Sequence, residues 1–270
     1  MCPNTEDTGR RLSNSSSPAV LRKDASYLMN EHERYLFDLQ GFLVVEDALL
    51  PEQVAALNRL ADQTLADETD PAWKTKRFDP IPWGQPYHEL LQNPRLTPVL
   101  AEMLGDGFRL DHSYVDVIRT GLGPIGAILH GGATPFDPSQ YYLFQNGSMF
   151  SGLTVVAYNL KDVGLGDGGF GCIPGSHKSN YPTPKDWLDL GSPAPCAAAV
   201  PGKAGSAVIF TEALTHGTLP WRGAEERRTL FLKYCPEHMA WSRHYPTGGD
   251  QGELTEEQRR VLRTPGIWPK

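Results

Sequence analysis

Two histidines, His130 and His216, carry the spacing from which metal chemistry could be built. His130 closes the run Ile128-Leu129 and precedes Gly131-Gly132, where a strand ends and the backbone turns open on one side. Neutral imidazole is a good ligand for a divalent transition metal, and two imidazoles with one carboxylate can occupy one face of such an ion. Two residues beyond the first histidine stands Gly132, which has no side chain to offer. Of the other histidines, His32 and His88 read as helix-surface residues and His112 opens a strand. His177 lies in a Pro-Gly turn, and His238 and His244 fall beyond the last core strand. Elimination leaves His130 and His216.

The surroundings of His216 add a cation. Ala207-Val208-Ile209-Phe210 reads as a buried strand, Thr211 to Thr215 as a turn, and His216-Gly217-Thr218 as the start of the next strand. Arg227 follows eleven positions after His216 and opens the strand Leu230 to Tyr234. A planar guanidinium inside a barrel can clamp a carboxylate with two parallel hydrogen bonds, and Thr218 can add a hydroxyl. The competing reading places Arg227, after Glu225-Glu226 and beside Arg228, in a solvated charge run.

The elements that must position these groups are short. Asp24 can cap a helix that carries Tyr27, Leu28, Tyr35, Leu36 and Leu39 and stops at Gly41; Phe42 to Val45 is a strand, and Pro51 opens a second helix with Val54, Leu57, Ala61 and Leu65 on one face. The stretch from Asp70 to Pro86 reads as a loop over the domain, followed by helical turns at His88 to Gln92 and Arg95 to Leu104. Strands are expected at 114–119, 127–130, 153–160, 170–173, 207–210 and 230–234, separated by Gly, Pro and Asp turns, which is the pattern of an antiparallel sandwich or barrel. Ala133 to Ser151 holds Phe136, Tyr141, Tyr142, Phe144 and Phe150; it either covers the mouth of the site or packs outside the barrel. Asn180 to Gly205 reads as a surface excursion, and Thr255 with Gln258 as the capping box of a last helix. The expected organisation is a disordered tail over 1–23, one domain over 24–240 and a C-terminal extension over 241–270.

Composition narrows the class. The 270 residues suffice for one large β-rich domain, and a net charge of −7 argues against binding to a nucleic-acid polymer. Four scattered cysteines without a CxxC pair read as a reduced cytoplasmic protein, and no apolar run approaches a membrane span of about 20 residues.

The order of His130, Gly166-Asp167-Gly168-Gly169-Phe170, Pro174-Gly175-Ser176-His177-Lys178, His216-Gly217-Thr218 and Arg227, with the opening Gly41-Phe42-Leu43-Val44-Val45, resembles the phytanoyl-CoA dioxygenase family of Fe(II)/2-oxoglutarate oxygenases over roughly residues 30 to 240. The resemblance implies a mainly β fold with flanking helices around a double-stranded β-helix (jelly-roll, cupin-like) core. It implies His130 and His216 as iron ligands, Arg227 with Thr218 at 2-oxoglutarate, and O2 as oxidant. Gly132 departs from the family's His-x-Asp/Glu motif and is similar to the non-haem iron halogenases, which place chloride where the carboxylate would be. The expectation is therefore a halogenase that chlorinates an unactivated carbon of a free-standing small molecule, with Gly132→Asp restoring a three-residue site. The alternatives are a hydroxylase or desaturase whose carboxylate comes from Glu212, Asp137 or Asp167, a hydroxylase in which water fills the position, and a non-catalytic binder. Tyr141, Tyr142, Phe144, Phe150 and Trp221 could stack on a flat ring, and Lys161, Lys178, Lys185 and Arg222 could meet a phosphate. By analogy with halogenases of nucleosides, a purine nucleotide is the first guess for the substrate and an acyl group the second; nothing indicates a carrier-protein partner.

Overall fold

A capping box starts the first helix, α1 (Glu31–Gln40): Asn30 accepts from the Glu33 backbone, and the Glu33 carboxylate accepts from Asn30. The helix ends at Gly41 with φ 84, where a Cβ would collide with the His177 ring, so only glycine lets β1 leave at that angle. The computed structural model describes residues 28–124, 126, 128–190, 194–248 and 252–268. The expected tail, the Asp24 cap and Ala127 lie outside them. The elements run on as β1 (Phe42–Val45), α2 (Pro51–Leu65), β2 (Thr75–Phe78), α3 (Gln85–His88), α4 (Thr97–Leu104), β3 (Arg109–Ile118), β4 (Tyr142–Gln145) and β5 (Ser148–Ser151). Then come β6 (Thr154–Asn159), β7 (Gly169–Cys172), β8 (Ala198–Ala199), β9 (Ala207–Thr211), β10 (His216–Leu219), β11 (Arg227–Cys235) and α5 (Glu256–Val261).

Six strands form one antiparallel sheet in the order β1-β9-β6-β11-β3-β2, and β10-β7-β8 form a second. Between them lies an apolar interior of Phe42, Val155, Val208, Phe210 and Phe231 with Phe170 and Cys172. The outer face of the large sheet buries Leu43, Val115, Val156, Ile209, Leu230 and Leu232 against Phe37, Leu57, Ala61 and the α4 residues Val99, Leu100 and Met103. This is the expected mainly β, jelly-roll architecture with flanking helices. Strand alternation divides β11: Leu230, Leu232 and Tyr234 join the helix-side core, while Arg227, Thr229, Phe231 and Lys233 take the opposite, interior face.

Several expectations change. The Asp70–Pro86 loop contains β2, which extends the sheet edge by pairing Arg77 with Asp116 and Phe78 with Val115. Residues 128–130 form bridges, Ile128 with Asp189 and His130 with His216, rather than a strand. His88 is buried, not on a helix surface. The Asn180–Gly205 excursion is anchored: Leu190 and Ala194 pack with Leu129 and Ile173, and Ala198 and Ala199 form β8. The C-terminal extension is docked on the barrel, with Gln258 donating to the His88 carbonyl and Arg109 to those of Met239 and Arg263. The Thr255–Gln258 capping box forms as expected. Among the described residues Cys172, Cys196 and Cys235 are free thiols, and no helix is long and apolar enough to cross a membrane.

Candidate metal centre

His130 and His216 are pinned to each other by their backbones. His130 N–H donates to the His216 carbonyl at 2.9 Å and His216 N–H to the His130 carbonyl at 2.8 Å. Gly131 makes this approach possible, because a Cβ there would collide with the carbonyl oxygens of Leu214 and Glu212. The two imidazole centroids lie 4.3 Å apart. His216 Nδ1 sits 2.7 Å from the Leu214 carbonyl, to which it can only donate, so Nε2 keeps its lone pair. His130 Nδ1 is buried with no hydrogen-bond partner.

A carboxylate does reach this pair, and it comes from Glu212. One ligand atom from each of His130, Glu212 and His216 lies within 4.8 Å of the others. Glu212 begins the turn between β9 and β10, fixed by its own N–H on the Leu153 carbonyl. Its Oε2 is 3.8 Å from His216 Nε2, and its Oε1 accepts from Lys233 Nζ at 2.5 Å. Burial opposes charge on Glu212, but Lys233 and the two histidines hold its carboxyl down at about 2. Burial pushes His130 down to about 4, with His216 adding to the effect, and lowers His216 as well. Two neutral imidazoles and one carboxylate are therefore ready as donors near neutral pH, and this N, N, O set fits a borderline divalent ion such as Fe(II). The other candidate carboxylates are spent locally: Asp137 accepts from the Ser139 N–H and hydroxyl, and Asp167 from the Gly164 N–H.

Gly132 lies in a left-handed backbone conformation beside two threonine hydroxyls. Its φ is 112, and a Cβ there would lie 3.1 Å from Thr215 Oγ1 and 3.8 Å from Thr183 Oγ1, hydroxyls bonded to each other at 2.9 Å. Its N–H is used by the Ala213 carbonyl. Of the three carboxylates expected as alternatives to a side chain at 132, Glu212 is the one that converges with the histidines.

Arg227 is no part of a solvated run. It is 2% exposed, with Nε and Nη1 buried and unpartnered, while its neighbour Arg228, on the opposite face of β11, pairs with Asp62, Glu226 and Asn58. Burial lowers Arg227 to about 10, with Asp116 opposing that effect. Gly169 makes room for it, since a Cβ there would stand 3.1 Å from Nε. Thr229, next along the same face of β11, also has a buried hydroxyl without a partner. A buried guanidinium with free N–H groups is costly unless an anion takes them, which fits the carboxylate of a keto-diacid. Thr218 lies on β10 opposite Phe170, half-buried.

The expected stacking residues are not gathered in one place. Tyr142 is buried against Phe37 and His177 and donates its hydroxyl to Asp38, and Trp221 is 2% exposed with Nε1 on the Glu225 carbonyl; both are structural. Phe144 is largely exposed on the β4–β5 hairpin. Tyr141 and Phe150 line a groove of about 980 Å³ shared with the end of α4 and the C-terminal residues Arg263, Ile267 and Trp268, a groove that the metal-site residues do not line. Lys178 pairs with Asp38, and Lys161 stands near Glu225 and Glu226, so neither is held for a phosphate.

Sequence reasoning missed a buried polar group on β3. β11 and β3 slip register at Lys233/Tyr234, where His112 and then Leu110 are the partners, and the bulged residue is Asp111. Its buried carboxylate accepts from the N–H groups of Trp241 and Ser242 and lies 2.7 Å from His112 Nδ1. The His112 ring is stacked between Tyr114 and Trp241. A strand reading with strict alternation cannot show such a bulge.

No curated protein sequence matches the chain. Among solved structures it is similar to HygX from Streptomyces hygroscopicus with nickel and 2-oxoglutarate bound, at 22% identity and a TM-score of 0.69, over 84% of this chain and 95% of that one. It also resembles the epimerase SnoN of nogalamycin biosynthesis (19% identity, TM-score 0.55, 77% of this chain and 83% of that one) and the carbocyclase SnoK of the same biosynthesis (16%, 0.54, 78% and 85%). These likenesses establish the fold. Residues 127–229, a span that holds both histidines, Glu212 and Arg227, match the family model described as Phytanoyl-CoA dioxygenase (PhyH).

Proposed function

We propose that this chain is an Fe(II)/2-oxoglutarate-dependent oxidoreductase that hydroxylates a small molecule, with His130, His216 and Glu212 as metal ligands and Arg227 as the anchor of the keto acid. One observation carries the reading: the only described trio of ligand side chains that converges in this way shares a barrel interior with a buried guanidinium that has free donors. The match of residues 127–229 to the phytanoyl-CoA dioxygenase model supports the same class, as do structural neighbours solved with iron or with 2-oxoglutarate.

Bound iron with 2-oxoglutarate and O2 would supply the oxidising chemistry. The chain's own contribution is placement. Reciprocal backbone bonds fix the two imidazoles, and the Leu214 carbonyl fixes the His216 tautomer so that Nε2 faces the metal position. Arg227 and Thr229 would take the distal carboxylate of the keto acid, compensating donors that are otherwise stranded in an apolar interior. Phe170, Phe210 and Phe231 exclude water around them. Hydroxylation is favoured over chlorination because Glu212 supplies the third donor whose absence would admit chloride.

HygX has been solved with hygromycin B bound and SnoN with nogalamycin RO. By that analogy the substrate is a free-standing small molecule, and Lys161 and Lys178, which stand beside carboxylates, give no support to a nucleotide.

The test is anaerobic addition of Fe(II) and 2-oxoglutarate to the protein, followed by chloride. A visible charge-transfer band that ignores chloride is expected. A band that shifts with chloride would restore the halogenase reading, and no band would remove the enzyme reading altogether.

A further inference from the structure

Lys233 is an unusual residue to find in the interior of a jelly roll. It is 8% exposed, follows Arg227, Thr229 and Phe231 along the inner face of β11, and donates to Glu212 Oε1 at 2.5 Å. Its Nζ lies over the Tyr114 ring, 5.7 Å from the centroid. Glu212 is 2% exposed, and Lys233 Nζ is its hydrogen-bonding side-chain partner. The other oxygen, Oε2, is the one nearer His216 Nε2, at 3.8 Å.

We propose that Lys233 is the positioning residue of the metal centre: it occupies Oε1 of Glu212 so that the carboxylate offers the metal one oxygen only. The proposal rests on the ligand role of Glu212 argued above. Glu212 reaches the histidines from the β9–β10 turn through a two-methylene side chain, and an unrestrained carboxylate can give a metal one oxygen or both. A second oxygen would take a position that the keto acid or O2 needs. A charge-assisted bond from a strand residue removes that freedom, as outer-shell partners do for metal ligands generally. It also explains why a lysine is buried here, since an apolar residue at 233 would leave the Glu212 charge alone in the interior.

The two parts can be tested separately with Co(II) alone as probe, read by its d–d absorption in the full-length protein without keto acid or oxygen. Affinity is the weaker readout, because removing a cation also favours binding of a metal ion; ligand geometry sets the spectrum. The reference without a carboxylate is E212L/K233M, which removes both buried charges together. If that variant has the wild-type spectrum, Glu212 is not a ligand, and the functional assignment of Glu212 falls along with the proposal. If it differs, Lys233 is tested by K233M and K233Q. The expected result is that K233M changes the d–d molar absorptivity by about two-fold or more, and that K233Q, whose amide can still donate to Oε1, restores the wild-type spectrum. A K233M spectrum that superimposes on wild type while E212L/K233M departs would overturn the positioning role, whatever happens to the melting temperature. Should K233M not fold, K233A, which admits water to Glu212, serves for the same comparison.

Discussion

His130 and His216 exchange both of their backbone hydrogen bonds, at 2.9 and 2.8 Å, and face each other with ring centroids 4.3 Å apart. The bridge joins a glycine-rich turn to the first residue of β10, segments 86 positions apart in sequence (216 − 130), so neither histidine is placed by its local segment alone. Two imidazoles held by a shared main-chain bridge would need little reorganisation to bind a metal together, the role proposed for them.

It follows that either histidine should be indispensable for metal retention and dispensable for the fold. His130→Ala and His216→Ala should each weaken Ni(II) binding by more than about 100-fold, beyond the cost of losing an outer-shell partner. Titration calorimetry with Ni(II), alongside far-UV circular dichroism, checks this. Retained affinity in either variant would exclude that residue from the ligand set.

Gly132→Asp should not create a better metal site. An L-residue at φ 112 is strained, and its Cβ would press on Thr215 Oγ1 at 3.1 Å, so the variant should lose about 1–3 kcal/mol of stability. Chemical denaturation measures that loss. A variant that binds Ni(II) more tightly than wild type without losing stability would show that position 132 does face the metal.

Much of this site could be read from residue types and spacing. His130, His216 and Arg227 each stand in short segments whose glycines and β-branched runs mark strand ends, and the structure brings the histidines together and buries the arginine. Glu212 is one of three candidate carboxylates in the sequence, but a turn of unknown shape separates it from His216, and only the fold shows which way it points. Position 132 is judged along the chain for the same reason: a motif compares positions in sequence, whereas a metal site compares positions in space, where a carboxylate from another loop can come near two histidines. The burial of Tyr142 and Trp221 and the bulge at Asp111 depend on tertiary partners that no local pattern contains.

Acid should weaken the metal-free fold before the carboxylates titrate. His177 is fully buried under α1, with Nε2 on the Asp38 carbonyl and Lys178 and Asp38 as its charged neighbours, and burial pushes it down to about 4. Between about 6.5 and 4 the unfolded chain takes up a proton that the folded one refuses, so stability is full above that window and falls with pH inside it, by about 1.4 kcal/mol per pH unit for this residue. His130, also lowered to about 4, acts in the same direction. Melting temperatures from pH 7.5 to 5 should fall, and His177→Gln should flatten the slope; an unchanged slope in that variant would assign the acid sensitivity elsewhere.

Arg227→Met separates the keto-acid anchor from the metal ligands. Methionine keeps much of the apolar stem between Gly169 and Phe231 but removes the stranded donors Nε and Nη1. Removing a buried guanidinium that has no partner should not cost the metal-free protein stability and can raise it, because the desolvation penalty goes with it. The loss should instead appear when 2-oxoglutarate binds: each charge-assisted hydrogen bond to a carboxylate is worth about 1.5–3 kcal/mol, so its affinity should drop by about 10-fold or more. Ni(II) affinity should stay as in wild type, since no ligand atom is touched. Calorimetric titration of 2-oxoglutarate into the Ni(II)-loaded variant decides the matter, because wild-type affinity there would mean that the free donors of Arg227 serve some other anion.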